Sequence, residues 1–283
     1  MKRGLLFLLF IALTNLSFSQ PNSRTIAEES LAAMDRIQTL KYRLVKKERI
    51  KGVFKEGEIQ VKYQRNPFKV YIYVYSPKPG VEILYCQGEN GNKAAINPNS
   101  FFLNMLDPNL DPMGKTLRKD EHHTILESGF EFTRLLLTAL KKRADEEKKF
   151  DELCKYEGEV TWANRVCFKL LLTYPTFAWE EYTVKKGETL IEIARSKNLN
   201  EYMILEKNKL SWYDKVSEGQ TILIPNIFAK KVILYVDKLL KLPIYQEVHD
   251  DVGLFEVYEY HGVIVNPTIP AEEFTKKYKD YKF

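Results

Sequence analysis

The chain has 283 residues, of which 45% are hydrophobic and 29% charged. That is enough apolar material for a sizeable core in one large or two smaller domains, and it excludes a disordered chain. The net charge of +5 leaves 41 basic against 38 acidic side chains once Lys2 and Arg3, in the acid-free first twenty residues, are set aside; so small a surplus, spread along the chain, argues against nucleic acid as the main partner.

Residues 1–19 read as a secretory leader. Lys2 and Arg3 are followed by an apolar Leu5–Leu13, and Ser17-Phe18-Ser19 puts small residues where signal peptidase needs them, with cleavage between Ser19 and Gln20. The apolar stretch falls well short of the ~20 residues a membrane-spanning helix requires. No cysteine follows the cleavage point to carry a lipid, and no later window is long and apolar enough for a transmembrane segment. The mature protein is therefore expected to be soluble, in the periplasm or outside the cell.

A helix is predicted over 25–38, where Thr25 and Glu28 form a capping box and Ala27, Leu31, Met34 and Ile37 share one face. From Leu40 the apolar period changes to two, giving strands over 40–50, 57–64, 67–76 and 81–87. Lys51-Gly52, Glu56-Gly57, Asn66-Pro67 and Lys78-Pro79-Gly80 are read as the breaks between them. Residues 97–124 look irregular. A second helix is predicted from about Ser128 to Lys148, starting with Ser128 and Glu131 and laying Phe132, Leu135, Leu136, Ala139 and Leu140 on a sheet. Strands follow at 155–162, 165–174 and 178–184, and again at 231–237, 243–248 and 253–265. The fold class is α+β with a curved antiparallel sheet.

The pattern changes between Tyr182 and Pro225, where the spacing predicts a short strand, two short helices and a second strand. Thr189 with Glu192 caps the first helix and Asn200 the second. The opening Tyr182-Thr183-Val184-Lys185-Lys186-Gly187-Glu188-Thr189-Leu190, the Asn208 and the closing Gly219-Gln220-Thr221-Ile222-Leu223-Ile224-Pro225 resemble a LysM domain, a small βααβ module that binds glycans containing N-acetylglucosamine, such as peptidoglycan. The resemblance implies a sugar groove with Gly187, Glu188, Thr189 and Leu190 on one side and Lys209, Leu210, Ser211 and Trp212 on the other. For the two apolar side chains the alternative is that Leu190 fills the module's core and Trp212 covers a neighbour. Since the two strands of such a module pair, its ends emerge side by side, and it can replace a hairpin turn.

The remainder carries Glu82-Ile83-Leu84-Tyr85, Ala94…Asn97-Pro98-Asn99 and His123-Thr124-Ile125…Gly129-Phe130. After the module come Leu234-Tyr235-Val236-Asp237-Lys238…Leu242-Pro243-Ile244, Glu256-Val257-Tyr258-Glu259-Tyr260 and Val265-Asn266-Pro267…Phe274, with a terminal Tyr281-Lys282-Phe283. These segments resemble the DUF1571 family of exported bacterial proteins and, more distantly, LolA-like lipoprotein carriers. The resemblance implies a half-open antiparallel β-barrel with helices packed across its concave side. The expected organisation is a leader (1–19), a host domain (20–181 and 227–283) and an inserted module (182–226). In the carriers the concave side shelters acyl chains, which makes Tyr71, Tyr73, Tyr75, Tyr258 and Tyr260 candidates to line a cavity for lipid or lipoprotein. The alternative is that helices fill the concavity and these tyrosines face solvent.

Catalysis finds little support in the sequence. The four histidines, His122, His123, His249 and His261, include no His-Glu-x-x-His spacing, and adjacent His122 and His123 cannot both face one metal from a regular element. There is no Gly-x-Ser-x-Gly elbow. Glu180-Glu181 and Asp250-Asp251, if in strands, point to opposite faces and cannot form a glycosidase pair. Asp107 and Asp111 lack the ligand ladder of a calcium loop. Cys86, Cys154 and Cys167 read as free buried thiols, because a 163–164 turn would put Cys167 opposite residue 160 and leave Cys154 out of bonding reach. No metal or other cofactor is implied. The expectation is a non-catalytic envelope protein held on peptidoglycan, whose host barrel binds a lipid, a lipoprotein or another envelope protein, with a cell-wall hydrolase or a purely structural scaffold as alternatives.

Overall fold

The computed structural model describes residues 22–100, 108–213 and 215–283; the predicted leader and Asp107 lie outside them. Helix α1 (Ser23–Asp35) is followed by strands β1 (Thr39–Ile50), β2 (Val53–Gln64), β3 (Lys69–Ser76), β4 (Glu82–Cys86), β5 (Ala94–Asn97) and β6 (Asn109–Leu110). Helices α2 (Lys115–Arg118), α3 (Glu131–Glu146) and α4 (Phe150–Leu153) lead to β7 (Cys154–Trp162) and β8 (Arg165–Thr173). Then come β9 (Trp179–Thr183), α5 (Leu190–Ser196), α6 (Glu201–Lys207), β10 (Thr221–Pro225), β11 (Lys231–Asp237), β12 (Pro243–His249) and β13 (Leu254–Val265).

Eleven strands form one antiparallel sheet in the order β6-β5-β4-β3-β2-β1-β13-β12-β11-β8-β7, and β9 and β10 pair separately. The strands before the helices thus form one meander and those after them a second, joined where β1 meets β13. Edge strands β6 and β7 do not pair, so the barrel stays half open. The β1–β2 and β7–β8 hairpins turn at Lys51-Gly52 and Ala163-Asn164, where both residues of each pair have positive φ, the geometry that matches the twist of flanking strands.

One face of the sheet is covered by α1 and α3. Ile26, Ala27 and Met34 of α1 and Leu136, Leu137 and Leu140 of α3 share a core with Leu40, Tyr42, Val61, Val70, Leu170, Leu172 and Val248. Two polar contacts fix α3 there: Thr133 Oγ1 donates to Gln246 Oε1 at 2.7 Å, and Tyr174 OH donates to the Leu140 carbonyl at 2.8 Å. The opposite face of β3 and β4 is covered by the C-terminal segment. Phe274 packs with Tyr71, Leu84 and Cys86, and the Tyr281 ring stacks on Tyr71 with centroids 3.7 Å apart.

Several local expectations are corrected. Gly57 does not break a strand; it sits inside β2 opposite Lys46. Asn22, whose side chain accepts from Thr25 N, caps α1 in place of Thr25. Helix α3 begins at Glu131 with no side-chain cap. The buried face of α3 runs through Thr133, Leu136, Leu137, Leu140 and Ala144, which leaves Leu135 47% exposed. β6 and α2 occupy part of the stretch 97–124 read as irregular, and β5 ends at its first residue. The three cysteines are free and buried, with Cys167 opposite Val160.

Candidate functional site

β8 and β11 are neighbours in the large sheet, with Thr173 opposite Lys231. Between them the chain leaves and returns at one place. Tyr174 N donates to the Lys230 carbonyl at 2.8 Å, and Ala178 and Asn226 exchange hydrogen bonds of 2.9 and 3.0 Å. The small sheet then pairs Trp179 with Pro225 through to Thr183 with Thr221, so it includes Trp179–Glu181, which the sequence alone leaves with the host.

The module's two helices carry the predicted caps. Thr189 and Glu192 form a complete capping box on α5, and the Asn200 side chain accepts from Tyr202 N and Met203 N at the start of α6. Leu190, Ile193 and Ala194 meet Met203, Ile204, Ile222 and Ile224 in the core. Asn208 closes the unit: its Nδ2 donates to the carbonyls of Ile204 (2.8 Å) and Leu223 (2.7 Å), and its Oδ1 accepts from Leu223 N (2.8 Å).

The two loops expected to form a groove are adjacent, because Leu190 N donates to the Tyr213 carbonyl at 3.2 Å. Their residues divide by what holds them. Gly187 takes φ +79° at the exposed turn, a conformation that suits glycine. The Glu188 carboxylate accepts from Tyr182 OH at 2.9 Å and from Lys185 N at 2.8 Å, so its own loop engages it. Thr189 is spent on the cap. Leu190 is wholly buried, which corrects its expected place as a groove side chain in favour of the alternative that it fills the module's core. Leu210 is partly buried against the same core, whereas Lys209 and Ser211 are exposed. Trp212 is half-buried, its ring 4.9 Å from that of Tyr213. Accessible side chains on this side are thus Lys209, Ser211 and Trp212.

The module is bolted to the host. Arg118 of α2 is buried, pairs with Glu201 at the start of α6, and lies 4.1 Å from the Tyr213 ring centroid. Arg49 at the end of β1 pairs with Asp250 and with Glu206 of α6. His122 is sandwiched between the rings of Tyr202 (4.4 Å) and Phe255 (4.1 Å). Asp251 accepts from Trp179 Nε1 at 2.9 Å and faces Lys207 at 3.4 Å. Asp251 is therefore an interface residue, while Asp250 holds Arg49 from within the host. None of these contacts has a local sequence signal, since each joins residues far apart in the chain.

Behind that interface, the adjacent His122 and His123 converge on one carboxylate oxygen. Glu256 Oε2 lies 2.7 Å from His122 Nδ1 and 3.3 Å from His123 Nε2. The sequence excludes a shared partner only for neighbours in a regular element, and His122 and His123 lie outside any helix or strand, where the alternation rule does not apply. Burial disfavours a charge on Glu256, yet the histidines overcome it and hold the carboxyl down at about 2. Burial likewise lowers His123, but the charge of Glu256 and the hydrogen bonds that His123 donates to Glu127 and Glu256 outweigh it and raise it to about 10. Among the described residues no group of three or more His, Cys, Asp and Glu is arranged to hold a metal ion.

The five candidate tyrosines do not share one cavity. Tyr258 and Tyr260 are buried on the helix-covered face, where the Tyr260 ring stacks on Phe130 at 4.4 Å and Tyr258 faces His123. Tyr71 lies under the C-terminal segment on the opposite face, with Tyr73 partly buried beside it, and Tyr75 is 46% exposed. Strand alternation explains the split, since Val70 and Ile72 of β3 take the helix side and send the tyrosines outward.

Residues 37–196 match the family described as protein of unknown function (DUF1571), and residues 182–225 match the LysM domain, which overlaps the end of the first match. No curated protein matches the sequence. Among solved structures, the chain is similar to a LolA superfamily protein of Nitrosomonas europaea, at 11% identity and TM-score 0.34, over 92% of this chain and 100% of that one. It is also similar to lipoprotein LppX of Mycobacterium tuberculosis (10%, 0.38, over 86% and 95%) and to LprF of Mycobacterium bovis (9%, 0.40, over 88% and 95%). No helix among the described residues is long and apolar enough to cross a membrane. The chain belongs to the DUF1571 family and carries a LysM domain.

Proposed function

We propose that the protein is an exported, non-catalytic envelope protein that binds the N-acetylglucosamine-containing glycan of peptidoglycan through the groove between residues 187–190 and 209–213. The observation that carries this reading is the LysM match over residues 182–225, together with the adjacency of the two loops through Leu190 and Tyr213. Gly187 and the Leu190 backbone supply one wall, and Lys209, Ser211 and Trp212 the other. Backbone amides there suit the acetamido groups of the sugar, and the Trp212 ring suits a sugar face. The leader-like residues 1–19 support export to the periplasm or beyond. We take the module as an insert within a host domain formed by the chain on either side of it.

For the host, the packing favours a rigid platform over a lipid carrier. The apolar faces of α1 and α3 occupy the side of the sheet where acyl chains would lie, and Tyr258 and Tyr260 meet rings of the protein's own. The mature chain, purified and incubated with insoluble peptidoglycan, should sediment with it and be released by soluble N-acetylglucosamine oligomers. A chain that stays in the supernatant, or one that the oligomers fail to release, would overturn the glycan reading.

A further inference from the structure

The groove is bordered by the host as well as by the module. Helix α2 belongs to the host, yet Lys115 Nζ lies 5.8 Å from the centroid of the Trp212 ring, within the range of a cation–π contact. This placement is fixed three residues on, where the wholly buried guanidinium of Arg118 packs on Tyr213, the neighbour of Trp212, and pairs with Glu201. Lys115 itself is exposed, and among the described residues no carboxylate pairs with it.

Among the described residues, the charge on the two loops is mostly positive. On the loops 185–190 and 209–215 the described charged side chains are Lys185, Lys186, Lys209 and Lys215, all exposed, and Glu188; Asp214 lies outside the described residues. Glu188 is already engaged by Tyr182 OH and Lys185 N. A sugar stacked on Trp212 would meet ammonium groups on the module's loops and, from the host, Lys115. The flexible lysine stem lets that ammonium lift from the ring face while staying beside it.

We propose that host and module form a composite site in which Lys115, with Lys186 and Lys209, recognises carboxylates carried by the glycan, so that the site prefers an anionic muropeptide to a neutral N-acetylglucosamine oligomer. This rests on the glycan-binding reading above and names its ligand class. Lys115 acts here as a specificity-determining residue: it adds charge recognition to a groove that otherwise reads only sugar.

Calorimetric titration of the mature protein separates the two ideas. The probes are a disaccharide–tetrapeptide with free carboxylates, the same compound with its carboxylates amidated, and an N-acetylglucosamine hexamer. Wild type should bind the free-carboxylate compound more tightly than the other two, by a margin that shrinks as salt is raised. K115Q should weaken binding of that compound by about 2- to 5-fold, the range of an exposed ion pair, and leave the hexamer unchanged. The triple variant K115Q/K186Q/K209Q should abolish the preference. Because these side chains are exposed, folding is not at stake, and K142Q on the far helix should match wild type. Equal binding of all three probes, a preference for a neutral one, or a K115Q effect that is absent or shared by the hexamer overturns the composite site. Failure of wild type to bind any of the three overturns the glycan reading itself.

Discussion

His123 shows how a single residue can set the pH range of this fold. It lies 3.3 Å from both Glu127 and Glu256, and the proton it holds in the folded chain is lost only near pH 10, against 6.5 for an ordinary histidine. A raised folded value means that its contribution is complete below about pH 6.5 and falls away as pH rises toward 10. Glu256 has the opposite sign: held down at about 2, it contributes fully above the ordinary 4.5 and loses that contribution as pH falls. The urea midpoint of wild type should therefore decline between pH 6.5 and 10, and His123→Gln, already less stable at pH 6, should show a visibly flatter decline. Parallel curves for the two proteins across that range would remove His123 as the cause.

At the scale of elements, the decisive contact is α2 against α6. Arg118 and Glu201 are both buried, and burial pushes the Glu201 carboxyl up while Arg118 holds it down. Removing one partner leaves the other charge uncompensated, so Arg118→Met should destabilise by about 3–5 kcal/mol, whereas the double change with Glu201→Met should recover much of that loss. Denaturant unfolding of the single and double variants checks this; a double variant no better than the single one would mean that the pair is not coupled. The sequence announces neither residue, because 83 positions separate them. What the sequence does announce is periodic. Strands with alternating apolar residues, such as β3, and the capping box at Thr189 are read from neighbours alone. Short β5, an unalternating Ala-Ala-Ile-Asn, and two-residue β6 give no such pattern. The start of α3 is ambiguous for another reason. Thr124…Glu127 and Ser128…Glu131 both have the spacing of a capping box, and the first is used, on a single 3-10 turn. The choice is tertiary: Gly129, at φ +87°, donates to Tyr42 OH at 2.8 Å and accepts from Tyr260 OH at 3.2 Å. Likewise the groove loops were legible as a motif, but the burial of Leu190 and the approach of Lys115 depend on packing that no motif encodes.

For the molecule as a whole, the question is whether the LysM domain rides on a hinge or is part of one body. Paired strand ends at Ala178 and Asn226 would by themselves permit a hinge. The interface argues against it. Arg49, Arg118, His122 and Asp251 of the host each hold a module residue, and Lys51 N and Gly52 N on the β1–β2 turn donate to Tyr202 OH and Glu206 Oε1, both at 3.1 Å. Loosening the module would strip partners from buried charges on both sides, a cost of several kcal/mol, so module and host should unfold together. The three tryptophans report on the two parts separately. Trp162 sits on the β7–β8 hairpin of the host sheet, 5.9 Å from the Tyr245 ring, while Trp179 and Trp212 belong to the module. Trp162→Phe should therefore give a fluorescence transition reporting the module, and Trp179→Phe/Trp212→Phe one reporting the host. Coincidence of each with the loss of circular dichroism in the same variant is the expected result. A module transition at clearly lower denaturant than the loss of sheet structure would mean that the groove is carried on a loose appendage. Lys115 would then be no fixed part of its wall.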